Sequence, residues 1–166
     1  MKICNFAHRN INSRKMEHII PIASDHGGFE MKQFLVEKLK EVGYEVKDYG
    51  THSNKSVDYP DMIHPLASAI ENGEYPLGII LCGSGNGAQM TANHHHRVRA
   101  ALCWNVELAK LARQHNDANI LALPGRFISN ELAWEMVQAF LSTDFEGGRH
   151  TRRVEKIEPT ENHEDE

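Results

Sequence analysis

The sequence predicts an α/β fold: one parallel sheet of five strands, doubly wound, with helices on both faces as a three-layer sandwich. Three observations predict it. Short apolar or β-branched runs alternate with amphipathic stretches five times along the chain, which is the pattern of repeated strand–helix units. The run LGIILC (77–82) is apolar on both faces, as in a strand covered by helices on either side. Glycines close the periodic segments at Gly43 and Gly73, where a helix ends and the chain turns back.

Each element follows from local pattern. HIIPIAS (18–24) is the first strand; Pro21 lacks an N–H and suits a sheet edge or strand end. Over 28–42, Met31, Phe34, Leu35, Leu39 and Val42 recur at helical spacing. YEVKDYG (44–50) is the second strand and THSNKSVDYP a polar loop. Helix 61–72 turns Met62, Ile63, Leu66, Ala69 and Ile70 inward. After strand 77–82 come a short helix (87–94), strand 98–104 with Cys103 and Trp104 read as core, and helix 105–115 capped by Asn105. Strand 119–125, helix 129–142 capped by Ser129 or Asn130, and a last short helix over 147–157 complete a Rossmann-like order.

The totals bound the function. The chain has 166 residues, 40% hydrophobic and 25% charged, the balance of one globular domain. That domain spans 18–157, between an N-terminal extension (1–17) and an acidic tail (158–166). A net charge of −5 gives no basic field for nucleic acid. No segment approaches the ~20 apolar residues of a membrane span. Three widely spaced cysteines, without a CxxC, argue against a disulfide framework or zinc finger and fit a cytoplasmic protein.

In a doubly wound sheet the ligand sits outside the carboxyl ends of the strands. Asp25-His26-Gly27-Gly28 follows the first strand, where free amides favour an anion; Asp25 could equally only cap the turn. Cys82-Gly83-Ser84-Gly85-Asn86-Gly87 follows the third. Alternating glycines let amides converge on negative charge, a setting that stabilises a thiolate; a small buried hydrophobe is the plainer reading of Cys82. The loose GxGxx(G/A) match is not a dinucleotide fingerprint, which belongs on the first strand–helix turn with an acid ~20 residues on. His115-Asn116-Asp117 ends a helix, where the dipole favours a protonated imidazole or simple capping. Arg126, Arg149 and Arg153 could grip a phosphate with forked hydrogen bonds, or form a solvated basic turn. The consecutive histidines of NHHHR (93–97) cannot converge on one ion and read as a solvated loop.

Together SDHGGFEMK, DYGTHSNKSVDYPD, ILCGSGNGAQMTAN, RAALCW, LARQHNDANILAL and FEGGRHTRRVEKI resemble the ribose-5-phosphate isomerase B family, in the family's order, over about 18–157. The resemblance implies an aldose–ketose isomerisation of ribose 5-phosphate and ribulose 5-phosphate through a cis-enediolate, with no metal, nucleotide or other cofactor. It implies Cys82 as the base; the glutamate of another branch falls on Ala88 here. It further implies Ser84 with Gly83, Gly85, Asn86 and Gly87 as the enediolate cradle, and His115 as the ring-opening acid helped by Asp25. Asn116 and Tyr59 are implied as hydroxyl contacts, and His26, Arg126, Arg149 and Arg153 as the phosphate clamp. A homodimer or tetramer with sites shared between subunits is implied as well. The alternatives are an isomerase of a six-carbon phosphate such as allose or galactose 6-phosphate, and a non-catalytic sugar-phosphate or nucleotide-binding module. A redox sensor at Cys82 would lack a resolving cysteine nearby in sequence.

Overall fold

A computed structural model describes residues 18–160; the extension and the end of the acidic tail lie outside the described residues. The strands are β1 (Ile19–Ser24), β2 (Glu45–Asp48), β3 (Gly78–Cys82), β4 (Ala100–Leu102) and β5 (Ile120–Pro124). The helices are α1 (Phe29–Glu41), α2 (Tyr59–Glu71), α3 (Asn86–Ala92), α4 (Val106–Asn116), α5 (Asn130–Ser142) and α6 (Arg149–Glu155). All strand pairs are parallel, in the order β2-β1-β3-β5-β4. The predicted fold class is therefore the observed one.

The alternation of side chains along a strand builds both outer layers. Ile79, Leu81, Leu121 and Leu123 face one core with Leu35 and Leu39 of α1 and Met136 and Phe140 of α5. Ile80, Cys82, Ile120 and Ala122 face the other with Ile63, Leu66 and Ile70 of α2 and Ala88 and Ala92 of α3. β3 and β5 are buried throughout, as the doubly apolar run of 77–82 required. The expected caps are present: Asn105 accepts the Leu108 N–H at 2.8 Å and Ser129 the Leu132 N–H at 3.1 Å. Gly43 and Gly73 have positive φ.

Some expectations need correction. Pro21 lies within β1, an interior strand. Its register partner is Lys47 on β2, while pairing to β3 starts at Ile22, so the missing N–H falls where no ladder bond to β3 has begun. α2 starts at Tyr59, two residues earlier than expected, with Pro60 in its first turn, where a proline has no amide to lose. Trp104 is not core; it is 45% exposed and packs on the exposed Phe127 at 5.6 Å between ring centroids. β4 is only three residues long and ends before Trp104, whereas Cys103 is buried as expected, its thiol pushed up to about 11 by burial. The histidine loop is pinned rather than freely solvated. His95 lies between Glu71 at 2.9 Å and His64 at 2.8 Å. The tail's first residue is also held: the Glu158 carboxylate accepts the Arg97 N–H at 2.6 Å.

The most costly polar contact is buried. Lys32 of α1 is fully buried and its ammonium donates to both Asp48 oxygens at 2.7 Å. Asp48 also accepts the Gly50 N–H at 2.8 Å. Removing one partner leaves a charge in the interior. Asp48→Ala is expected to lower stability by about 3 kcal/mol, and Lys32→Met by less, because the Asp48 carboxylate it leaves behind is partly exposed and water reaches it, whereas Lys32 is fully buried. Urea denaturation of the two variants checks the order.

Candidate active site

The strand order reverses between β1 and β3, since β2 lies outside β1 and the chain returns to the other side of it. The turns after β1, β3 and β5 therefore open into one crevice at the carboxyl edge. Asp25 is buried, and one carboxylate oxygen accepts the Gly27 and Gly28 N–H groups at 2.8 and 3.3 Å. Its turn-capping role is thus realised, whatever else it does. His26 Nδ1 accepts the Val57 N–H at 3.2 Å. The neutral ring then carries its proton on Nε2, which is left as a donor to a ligand.

Cys82 is buried at the end of β3, in the same cluster as Ala88. Its carbonyl accepts the Gly125 N–H at 2.9 Å, and Gly83 O accepts the Arg126 N–H at 3.0 Å. The Arg126 guanidinium lies beside Gly83, 3.3 Å from where a Cβ would stand. Gly85 has φ +79°, and a Cβ there would meet Leu102 at 2.4 Å. Ser84 Oγ accepts the Asn86 N–H at 3.3 Å. Among the described residues the Ser84 and Gly85 amides have no partner in the chain, so this turn presents donors to an anion. Tyr59, at the start of α2, lies on Gly87: a Cβ there would come within 2.5 Å of its ring. Asp25, His26, Tyr59, the Cys82–Gly87 turn and Arg126 therefore form one constellation.

His115 and Asn116 are not part of it. They end α4 just before β5 begins, at the amino edge of the sheet. Five residues of β5 at ~3.3 Å each put about 16 Å between the two edges. Asp117 closes the helix in the left-handed region, and Arg113 ties that end to Asp117 and to the Ala118 and Thr143 carbonyls at 3.0, 2.6 and 3.1 Å. Here His115 and Asn116 share a cavity of about 410 Å³ with Arg149, His150 and Arg153 of α6. The His115 and His150 rings stack at 4.3 Å, 13° from parallel. The site residues expected from sequence thus fall into two groups at opposite edges.

Sequence reasoning missed His150, Glu146 and the orienting amide of Val57. His150 lies between two arginine-bearing positions, and nothing in its spacing reveals that α6 lays it on His115. The His150 ring is held below the ordinary histidine range by burial, then by the neighbouring His115 and the Arg149 charge, against the opposing pull of Glu146.

Residues 20–157 match the family described as Ribose/Galactose Isomerase. The chain is 44% identical over 138 residues to the ribose-5-phosphate isomerase B of Escherichia coli, covering 83% of this chain and 93% of that one. Its fold superposes on a crystal structure of the ribose 5-phosphate isomerase of Thermotoga maritima with TM-score 0.84 and 50% identity, over 86% of this chain and 98% of that one. The Mycoplasma genitalium ribose-5-phosphate isomerase B with bound ribulose 5-phosphate gives TM-score 0.80 at 42% identity, over 84% and 93%.

A lowered folded pKa for a base means that the unfolded chain binds its proton first. Any stability from neutral His150 is thus complete above the unfolded histidine pKa and is lost as pH falls below it. In an imidazole NMR titration His150 is expected to titrate below an exposed histidine, and to move up in Arg149→Ala. An unshifted midpoint in both proteins would remove the proposed cause.

Proposed function

This chain belongs to the ribose/galactose isomerase family, and on that premise we propose that it interconverts ribose 5-phosphate and ribulose 5-phosphate by proton transfer between C1 and C2. The observation that carries the reading is a single thiol, Cys82, at the sheet's switch point beside a turn of free amides. The family description covers ribose and galactose; the solved relative holding ribulose 5-phosphate favours the five-carbon substrate.

In the proposed mechanism His115 protonates the ring oxygen as the sugar opens, assisted by Asp25. The Cys82 thiolate removes the C2 proton of the open aldose. The carbonyl oxygen becomes anionic and rests on the amides of Gly83 to Gly87 and the Ser84 hydroxyl. The proton returns to C1 as the C2 hydroxyl passes its own proton to the C1 oxygen and becomes the ketone, and the thiolate is regenerated. Tyr59 and Asn116 bind hydroxyls, and His26, Arg126, Arg149 and Arg153 hold the phosphate. Ala88, packed in the Cys82 cluster, offers no carboxylate as a competing base. The reaction needs no metal or nucleotide, and the free thiols Cys82 and Cys103 suit a reducing cytoplasm.

The two-edge arrangement supports a shared site. One chain holds the base and the acid at opposite ends of the sheet, so a complete site takes the His115 edge from a second copy. The exposed Trp104–Phe127 pair and the exposed Leu108 are apolar surface of the kind that an interface covers. We therefore propose a homodimer, or a tetramer built from it.

Cys82→Ser is expected to lower kcat by about 10²–10⁴-fold, the ordinary scale of a lost general base, with KM little changed; near-normal turnover removes Cys82 as the base. Mixing the inactive Cys82→Ser and His115→Asn chains by co-refolding tests the shared site. Random pairing makes half the dimers mixed, each with one intact site, so about a quarter of wild-type activity should return. No recovery, with mixed dimers shown to form, contradicts sharing.

A further inference from the structure

Three ligating groups cluster at the His115 edge, two of them, His115 and His150, lining the cavity there. His115, Glu146 and His150 each offer a nitrogen or carboxylate oxygen, and these atoms lie within 4.8 Å of one another. His150 Nε2 and Glu146 Oε2 are 3.5 Å apart. That is long for a hydrogen bond, and it matches the edge of a ligand tetrahedron with ~2.1 Å bonds, about 3.4 Å. The Glu146 N–H donates to Gln114 O at 3.1 Å, which fastens the segment carrying the carboxylate to the turn carrying His115.

Two features oppose tight binding. The stacked rings direct their in-plane lone pairs side by side, so His115 must rotate to reach an ion held by His150 and Glu146. Arg149 and Arg153 line the same cavity and repel a bare dication. Occupancy is then weaker and more reversible than in a structural zinc site.

We propose that His115, Glu146 and His150 form a site for a divalent transition cation of the Zn²⁺ type, and that occupancy withdraws His115 from proton transfer and inhibits the isomerase. Two imidazoles and one carboxylate are a common zinc ligand set, with water in the fourth position. The inhibitory half rests on the role of His115 argued above; the binding half does not.

Zn²⁺ titration by calorimetry in the Cys82→Ser background, with and without Glu146→Gln, tests binding free of the competing thiol. Inhibition and its reversal by EDTA are followed in chains that keep Cys82, again with and without Glu146→Gln, since Glu146 has no part in the reaction. Glu146→Gln is expected to keep uninhibited turnover, to weaken Zn²⁺ binding about tenfold or more, and to raise the half-inhibiting concentration by the same factor. Equal binding with and without Glu146 overturns the site. Equal inhibition of both chains overturns the inhibitory role and assigns it elsewhere, Cys82 first. Glu146-dependent binding without inhibition keeps the site and removes His115 from the reaction, so the two readings fail separately.

Discussion

Three turns at the carboxyl edge of the sheet touch backbone to backbone, and the position of the thiol depends on that contact. A Cβ on Gly28 would stand 2.6 Å from Leu81 Cβ, one on Gly27 2.9 Å from the Gly83 nitrogen, and one on Gly125 3.1 Å from the Gly27 carbonyl oxygen. No side chain fits between these atoms, so the glycines meet a steric requirement. The spacing of the turns after β1, β3 and β5 is then set by main-chain atoms, which have no rotamers to vary. Cys82 is held from two sides: its carbonyl takes the Gly125 amide, and the residue before it takes the Asp25 amide at 3.4 Å. A thiol at a fixed place beside fixed donors is what the proposed proton transfer at carbon requires.

The other edge of the sheet is built by different means. α4 ends in a left-handed Asp117, and the Arg113 guanidinium gathers the carbonyls of Thr143, just past α5, and of Ala118, two residues before β5. α6 then brings two arginines and His150 onto the exposed end of α4. The chain thus concentrates positive charge locally while remaining net negative at −5. A phosphate is attracted by the local field of a few guanidiniums, whatever the sign of the whole.

Much of this was legible before any coordinates. The alternating strand and helix patterns gave the fold class because helices and strands differ in hydrophobic period, and the caps at Asn105 and Ser129 and the glycines at Gly43 and Gly73 are local chemistry. The motif residues around Cys82 were legible because glycine spacing encodes the turn that holds them. What stayed hidden was relational. Trp104 looks like core from its neighbours, yet β4 stops before it and the ring stands exposed. The stack of His150 on His115 depends on where α6 folds back, which no spacing states. The placement of Cys82 and His115 at two edges was itself legible, since the predicted strand 77–82 ends on Cys82 and the predicted helix 105–115 runs into strand 119–125.

The loop between β2 and α2 shows how a buried charge can serve an exposed site. Lys32 and Asp48 fix the end of β2, and Asp48 holds the Gly50 amide. Gly50 and Thr51 then exchange hydrogen bonds with Ser24, through the Ser24 N–H at 2.7 Å and the Thr51 N–H at 2.6 Å. From there the chain crosses the end of β1, where Val57 fixes the His26 ring and Tyr59 settles on Gly87. An apolar pair in place of Lys32 and Asp48 could pack as well, since a buried ion pair is seldom a net source of stability. It could not hold the Gly50 amide. The ion pair therefore contributes direction: it aims a polar loop so that one amide selects the tautomer of His26 and one aromatic ring roofs the turn after β3.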